Sequence, residues 1–245
     1  MEQQSHQRVA LVTGAGRGIG RAIAVALARE GFALCIAART REQLDETRAL
    51  TCLPAALSLI VLVDLADSDA PDNLFGAMMD HFGRIDLLIN NAGFAPPRTA
   101  LVKTSAADQD RMIAVNLRAP IALARLAAAQ MARRGEGGTI INIASSSARF
   151  TPVGEAIYAA TKAGLVAFTH ACFAEFRDHR VRIAALLPGL TDTPFIPNNK
   201  RLERTAMLRA EDVAAAVLNV VNAPPGVSPI EIVLEPALDP MRGGR

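Results

Sequence analysis

The stretch Thr13-Gly14-Ala15-Gly16-Arg17-Gly18-Ile19-Gly20 restricts what this chain can fold into more than any other. It follows the apolar run Val9-Ala10-Leu11-Val12, which reads as a buried strand. It precedes an Ala-rich helical stretch that runs to about Arg29 and is stopped by Gly31. Between a strand and a helix, such glycines allow a tight turn whose bare backbone can approach a pyrophosphate. The helix amides and dipole then face the phosphates. The spacing of Gly14, Gly18 and Gly20 is G-x-x-x-G-x-G, not the G-x-G-x-x-G of the general dinucleotide fingerprint.

The same alternation continues along the chain. Leu34 to Ala38, Leu57 to Val63, Asp86 to Ile89, Thr139 to Ala144, Val181 to Leu187 and Ile230 to Leu234 read as strands. Helices are expected over about Arg41 to Ala49, Asp69 to Phe82, Ala106 to Arg133, Glu155 to Arg177 and Ala210 to Val221. Within the longest, Asn116 sits among apolar neighbours, and Pro120 implies a kink or a freed carbonyl. Alternation of this kind predicts a doubly wound parallel α/β sheet of about seven strands with helices on both faces. No repeat or linker divides residues 1–245, so one domain is expected. The irregular, Pro-containing segment at about 190–207 reads as a short substrate lid, and the tail from Glu235 to Arg245 is expected to fray.

The second strand ends where an acidic residue would hold an unphosphorylated ribose. This chain has Ala38 there, with Arg39 beside it and Arg17 in the glycine turn. An alanine cannot repel a 2′-phosphate and the arginines can pair with one, which favours NADP(H) over NAD(H). Asp64, after the third strand, either caps the next element or accepts from an adenine amino group. Asn90-Asn91-Ala92-Gly93 ends the fourth strand as a turn.

Tyr158 and Lys162 lie one helical turn apart on one helix face. A phenol ordinarily titrates near 10, and a neighbouring ammonium favours its ionised form. The pair can therefore serve as a general acid/base, with Lys162 lowering the tyrosine pKa. Tyr158 is the chain's sole tyrosine. Beyond it, from Ala163 to Phe176, the helix is apolar almost all round, which predicts a subunit interface forming a dimer or tetramer.

Trp is absent and aromatic residues make up 4%, which argues against a base-stacking nucleic-acid surface. The net charge of +2 leaves no basic footprint. The polar start lacks an apolar signal core, and no uninterrupted apolar run reaches membrane-spanning length. Cys35, Cys52 and Cys172 read as small core hydrophobes in a reducing compartment. A cytoplasmic enzyme is expected, with no metal site and no membrane or nucleic-acid partner.

From about Arg8 to Leu234 the chain closely resembles the short-chain dehydrogenase/reductase family, with its Rossmann-like sheet. The resemblance rests on the glycine turn, Asn90-Asn91-Ala92-Gly93, Asn116, Ser145, Tyr158-x-x-x-Lys162 and Pro188-Gly189. Ser145 precedes Tyr158 by 13 positions (158 − 145), the family's usual interval. The resemblance implies that Tyr158 exchanges the proton of a carbonyl or alcohol, and that Ser145 polarises the substrate oxygen. Lys162 would bind the nicotinamide ribose, and Asn116 would hold a proton-relaying water. Gly14, Gly18, Ile19, Gly20, Asn90, Ala92 and Gly93 would line the cofactor. Pro188 and Gly189 would shape its nicotinamide side, with Leu190 on the carboxamide and Thr193 on the pyrophosphate. The implied reaction is hydride transfer between NADP(H) and a ketone, aldehyde or secondary alcohol. The alternative is a catalytically silent dinucleotide sensor on the same fold. The short 190–207 segment and the Glu235-Pro236 ending depart from common members. The ending looks more like members acting on small hydroxy acids or general carbonyls than like fatty-acyl reductases.

Overall fold

The computed structural model describes residues 7–197 and 199–241. Asn198 in the expected lid, the first six residues and the last four therefore lie outside the described residues. The strands are β1 (Val9–Thr13), β2 (Ala33–Ala38), β3 (Ser58–Leu62), β4 (Leu87–Asn90), β5 (Gly138–Ile143), β6 (Val181–Pro188) and β7 (Glu231–Leu234). The helices are α1 (Gly18–Arg29), α2 (Arg41–Thr51), α3 (Ala70–Phe82), α4 (Ala106–Ile113), α5 (Ala119–Arg134), α6 (Ala156–Phe176) and α7 (Ala210–Val221).

All strand pairings are parallel, in the order β3-β2-β1-β4-β5-β6-β7. Successive strand residues point to opposite faces, so each strand feeds two cores. Val9 and Leu11 pack with Leu74 and Met78 of α3 and with Leu123 and Met131 of α5. Ala10 and Val12 pack with Ile23 and Leu27 of α1 and with Val213 and Val217 of α7. Every residue of β1 is buried, which is why the run is apolar throughout rather than alternating. The chain builds outward from β1 to β3 and then returns to β4 on the other side of β1. The connections leaving β1 and β4 therefore diverge and open a crevice at the carboxyl ends of the strands.

Three expectations need correction. The helix expected over Ala106 to Arg133 is interrupted by a π turn over Ala114–Arg118. Pro120 has no N–H to give the carbonyl of Asn116 four residues earlier, so the regular ladder cannot pass through this point. The combined run Ala106–Arg134 is long and apolar enough to cross a membrane by length and composition, although no uninterrupted apolar stretch is. Its apolar residues, Leu123, Ala127 and Met131 among them, are instead buried against the sheet. Cys35 is a core residue, but Cys52 is exposed. It occupies the left-handed position that ends α2, where the chain leaves the helix. Finally, the tail as far as Met241 does not fray. Leu202 and Met241 form an antiparallel bridge, and the Glu203 N–H donates to the Pro240 carbonyl at 2.8 Å, so the tail lies along the lid.

Candidate active site

The crevice is a cleft of about 1490 Å³ along the carboxyl edge of the sheet. At one end is the glycine turn. Gly14 and Gly18 have left-handed φ values of +64° and +54°, and Gly20 lies so close to the Gly14 carbonyl that a Cβ would overlap it. The amide of Asn91 crowds the same side of Gly20 and donates to the carbonyls of Thr13 and Gly14 at 2.9 and 3.2 Å. The Thr13 hydroxyl accepts from the Asn91 and Ala92 N–H groups at 3.0 and 3.1 Å. The Asn-Asn-Ala-Gly turn after β4 therefore braces the glycine turn after β1. Arg17 starts α1 without a side-chain cap, and no acidic residue lies in the first helical turn. The amino end of α1 keeps unpaired N–H groups and a positive dipole end facing the cleft. Thr193 reaches back from the lid, because a Cβ on Gly18 would meet its side chain at 3.2 Å.

Arg17, Ile19, Arg39 and Asp64 line this end of the cleft. Arg17 and Arg39 are exposed and take part in no ion pair among the described residues. Of the two roles open to Asp64, the structure shows the capping one, and it adds an ion pair. It accepts from the Ala66 N–H at 3.0 Å, as a turn cap, and from Arg111 at 2.6 Å. Burial works against its charge, but the Ala66 N–H and the Arg111 guanidinium outweigh it, and the carboxyl titrates below its ordinary value.

In the middle of the cleft, β5 ends at Ile143, and Ser145 follows in extended conformation. Its hydroxyl accepts from the Ser147 N–H at 3.1 Å, which fixes the side chain at the cleft wall. Tyr158 and Lys162 enter from the first turns of α6. The Lys162 ammonium, 3% exposed, donates to the Ile143 carbonyl at 2.8 Å and lies 5.8 Å from the centroid of the Tyr158 ring. Phe195 of the lid faces the same ring, 6.3 Å between centroids. Pro188, Gly189 and Leu190 form the wall beyond β6. Gly189 is pinned there by its N–H to the Leu234 carbonyl at 2.7 Å, and a Cβ would clash with the Glu235 carboxylate.

Electrostatically the pair differs from the sequence expectation. Lys162 does not lower the phenol in this state. Burial pushes the Tyr158 pKa up to about 12; the neighbouring Ser145 hydroxyl lowers it somewhat, and the Glu155 charge adds to the rise. Burial also pushes Lys162 down to about 8. Lys162 is buried and Tyr158 half-buried at the cleft wall, and for both groups the desolvation of the charged form is the leading cause of the shift.

Two expected residues stand behind the cleft wall rather than on it. Asn90, 2% exposed, donates to the Pro120 carbonyl at 3.2 Å and to Asn142 at 2.9 Å, so Asn91, Ala92 and Gly93 form the cleft surface instead. Asn116, fully buried, donates to the Phe94 carbonyl and the Thr161 hydroxyl, and accepts from the Phe94 N–H at 2.8 Å. Both of its amide hydrogens are thus spent on protein partners. The residues that sequence reasoning missed are those that hold others in place, Asn142, Thr161 and Thr169; Thr13 and Asn91 stood in its motifs, but not the contact between them. Asn142 donates to Thr169 at 2.9 Å, completing a polar ladder from β4 through β5 to α6. The available signal was a polar residue inside an apolar run, Asn142 in Ile140-Ile141-Asn142-Ile143 and Thr169 in α6.

A glycine cradle under an open helix end, sharing one cleft with a half-buried serine and tyrosine and a buried lysine, defines a nucleotide-linked oxidoreductase architecture. The family model described as short chain dehydrogenase matches residues 8–203, and the chain belongs to that family. It is 30% identical over 230 residues to an uncharacterized oxidoreductase of Staphylococcus epidermidis, covering 94% of this chain and 97% of that protein. It is 33% identical over 196 residues to a levodione reductase of Leifsonia aquatica, covering 79% of this chain and 73% of the relative. A solved metagenomic short-chain oxidoreductase in complex with NADP superposes with a TM-score of 0.81 at 31% identity, over 95% of this chain and 98% of the other.

Proposed function

We propose that the protein is an NADP(H)-dependent reductase or dehydrogenase that interconverts a ketone or aldehyde with its alcohol. The observation that carries this reading is the meeting of Ser145, Tyr158 and Lys162 in the cleft that the glycine turn opens. The residues present fit a dinucleotide: Gly14 and Gly18 take left-handed φ values that keep the turn bare of side chains, and the α1 end is left open to a pyrophosphate. When bound, the nicotinamide supplies or takes the hydride. The protein's part is positional and protic. Ser145 donates to the substrate oxygen and holds it against Tyr158. Tyr158, neutral at physiological pH, gives its proton to that oxygen in reduction and takes it back in oxidation. Lys162, anchored on the Ile143 carbonyl, holds the ribose and places a positive charge behind the phenol. Asn116 fixes Phe94 and α6 at the inner wall, and a water held there would lean on main-chain carbonyls of the π turn, since the amide hydrogens are taken.

Gly14, Gly18, Ile19, Gly20, Ala92 and Gly93 are read as the pyrophosphate and adenosine surface, and Pro188, Gly189, Leu190 and Thr193 as the nicotinamide side. Asn90 supports that surface from behind. Arg17 and Arg39, which form no ion pair among the described residues, suit a 2′-phosphate, and the NADP-bound structural relative supports the choice. Arg39→Ala is expected to weaken NADPH binding at least about tenfold, the value of a charge-assisted hydrogen bond, and to leave NADH binding nearly unchanged. Equal losses in parallel titrations would remove Arg39 from the phosphate.

On α6, Ala156, Ala160, Ala163, Ala167, Ala171 and Ala174 are all exposed. This uncovered apolar face supports a homodimer or homotetramer through α6. Sedimentation at micromolar concentration should show it, and a monomer would overturn it. The free cysteines suit a reducing cytoplasm. The deciding experiment is NADPH oxidation against a broad panel of ketones and aldehydes, in which turnover is expected. Tight dinucleotide binding with no turnover on any of them would favour the sensor.

A further inference from the structure

Glu155 is absent from the mechanism above, yet both of its carboxylate oxygens are engaged in the cleft. It stands at the N-cap of α6, three residues before Tyr158, and its side chain caps nothing. Ser, Thr, Asp and Asn are the favoured residues at that position, because their short side chains reach the helix amides. A Glu there has its carboxylate employed elsewhere. One oxygen accepts from Arg98 Nε at 2.5 Å and the other from the Ser147 hydroxyl at 2.9 Å, and the side chain is 17% exposed.

Each partner leads to a different part of the cleft. Ser147 lies in the short turn Ser146–Ala148, and its N–H is the group that holds the Ser145 hydroxyl at 3.1 Å. Arg98 belongs to the loop between β4 and α4. Phe94 at the start of that loop is held by Asn116. Among the described residues, the hydrogen bonds that residues 95–100 make beyond the 94–104 segment go to two adjacent positions: Thr99 N–H to the Gly154 carbonyl at 3.1 Å, and Arg98 to Glu155. Gly154, at φ +84°, allows that approach, since a Cβ would meet the Thr99 nitrogen at 3.2 Å. The loop, the α6 cap and the Ser145 turn thus meet on one carboxylate, and all three line the cleft.

We propose that Glu155 is a positioning residue for the reaction: through Ser147 it sets the orientation of Ser145, and through Arg98 it fastens the 94–103 loop across the cleft. The inference rests on the proposed oxidoreductase reading. Glu155 acts through these groups and touches neither substrate nor cofactor. Its charge is also felt by the phenol, whose other charged neighbours are Lys162 on the same helix and, through Glu155 itself, Arg98 on the loop.

The test uses the full-length enzyme with NADPH and a ketone that it turns over. Glu155→Ala and Ser147→Ala should each lower kcat at least tenfold with dinucleotide affinity unchanged. The double variant should be no worse than either single one, because both cut the same connection. Glu155→Gln keeps an oxygen for Ser147 and should restore kcat. Arg98→Ala loosens the loop and should raise KM while sparing kcat. Glu155→Gln should also lower the Tyr158 midpoint in a tyrosinate absorbance titration, a change that a purely structural role would not produce. Wild-type kcat in both Ser147→Ala and Glu155→Ala, or an unmoved tyrosinate midpoint in Glu155→Gln, overturns the inference. If Glu155→Ala does not fold, Ser147→Ala decides. Failure of the underlying reading looks different: Tyr158→Phe would then retain turnover, whatever Glu155 does.

Discussion

Tyr158→Phe is expected to lower turnover of a reducible carbonyl by about 10²- to 10⁴-fold, the contribution of a positioned general acid, while dinucleotide affinity stays at the wild-type level. The change removes one oxygen and leaves α6, the Ser145 turn and the Lys162 anchor on Ile143 in place. Steady-state turnover beside a dinucleotide titration separates the two effects, and near-normal turnover would remove Tyr158 from the chemistry. The residue also reports on itself. The chain has one Tyr and no Trp, so tyrosinate absorbance follows this side chain alone. In the ligand-free protein its midpoint is expected near 12, because burial dominates. A midpoint below the ordinary 10.0 would mean that the lysine charge prevails after all.

Lys162→Met should abolish most turnover and, in the ligand-free protein, change how stability depends on pH. Lys162 titrates at about 8 in the folded chain against 10.5 for the free side chain. Between those values the unfolded chain binds the extra proton, so wild-type stability rises with pH. Below pH 8 the lysine is charged in both states and the folded protein bears the full cost of burying it. That cost is about 3 kcal/mol from the pKa difference, offset in part by the hydrogen bond to Ile143. Methionine removes the charge, so the stability gap between variant and wild type should be greatest at neutral pH and close as pH approaches 10.5. Thermal melts of both proteins across that range test it. A gap independent of pH would mean that the buried lysine is already neutral at pH 7.

The parts of the site that were legible in the sequence are those in which chemistry and local backbone coincide. Gly14, Gly18 and Gly20 announce themselves because no other residue tolerates that turn. Tyr158 and Lys162 do so because helical spacing alone places them on one face. Pro120 disclosed the irregularity beside Asn116, although not that it would take the form of a π turn. The supporting residues were not legible. Asn91 braces Thr13 across 78 positions of chain, and Arg98 meets Glu155 across 57. No local pattern encodes a partner that far away.

The sequence by itself determined the alternation of strands and helices, the parallel sheet and the candidate acid/base pair, because periodicity and residue type are local properties. Only the tertiary structure decided the titration of those groups. It buried Lys162 and packed Tyr158 half-buried beside it, so desolvation replaced charge attraction as the leading influence. It also moved Asn90 and Asn116 behind the cleft wall and brought Glu155 to the junction of loop, helix and serine turn. Burial and long-range contact arise only when distant segments share a core, which is why these features had to wait for the fold.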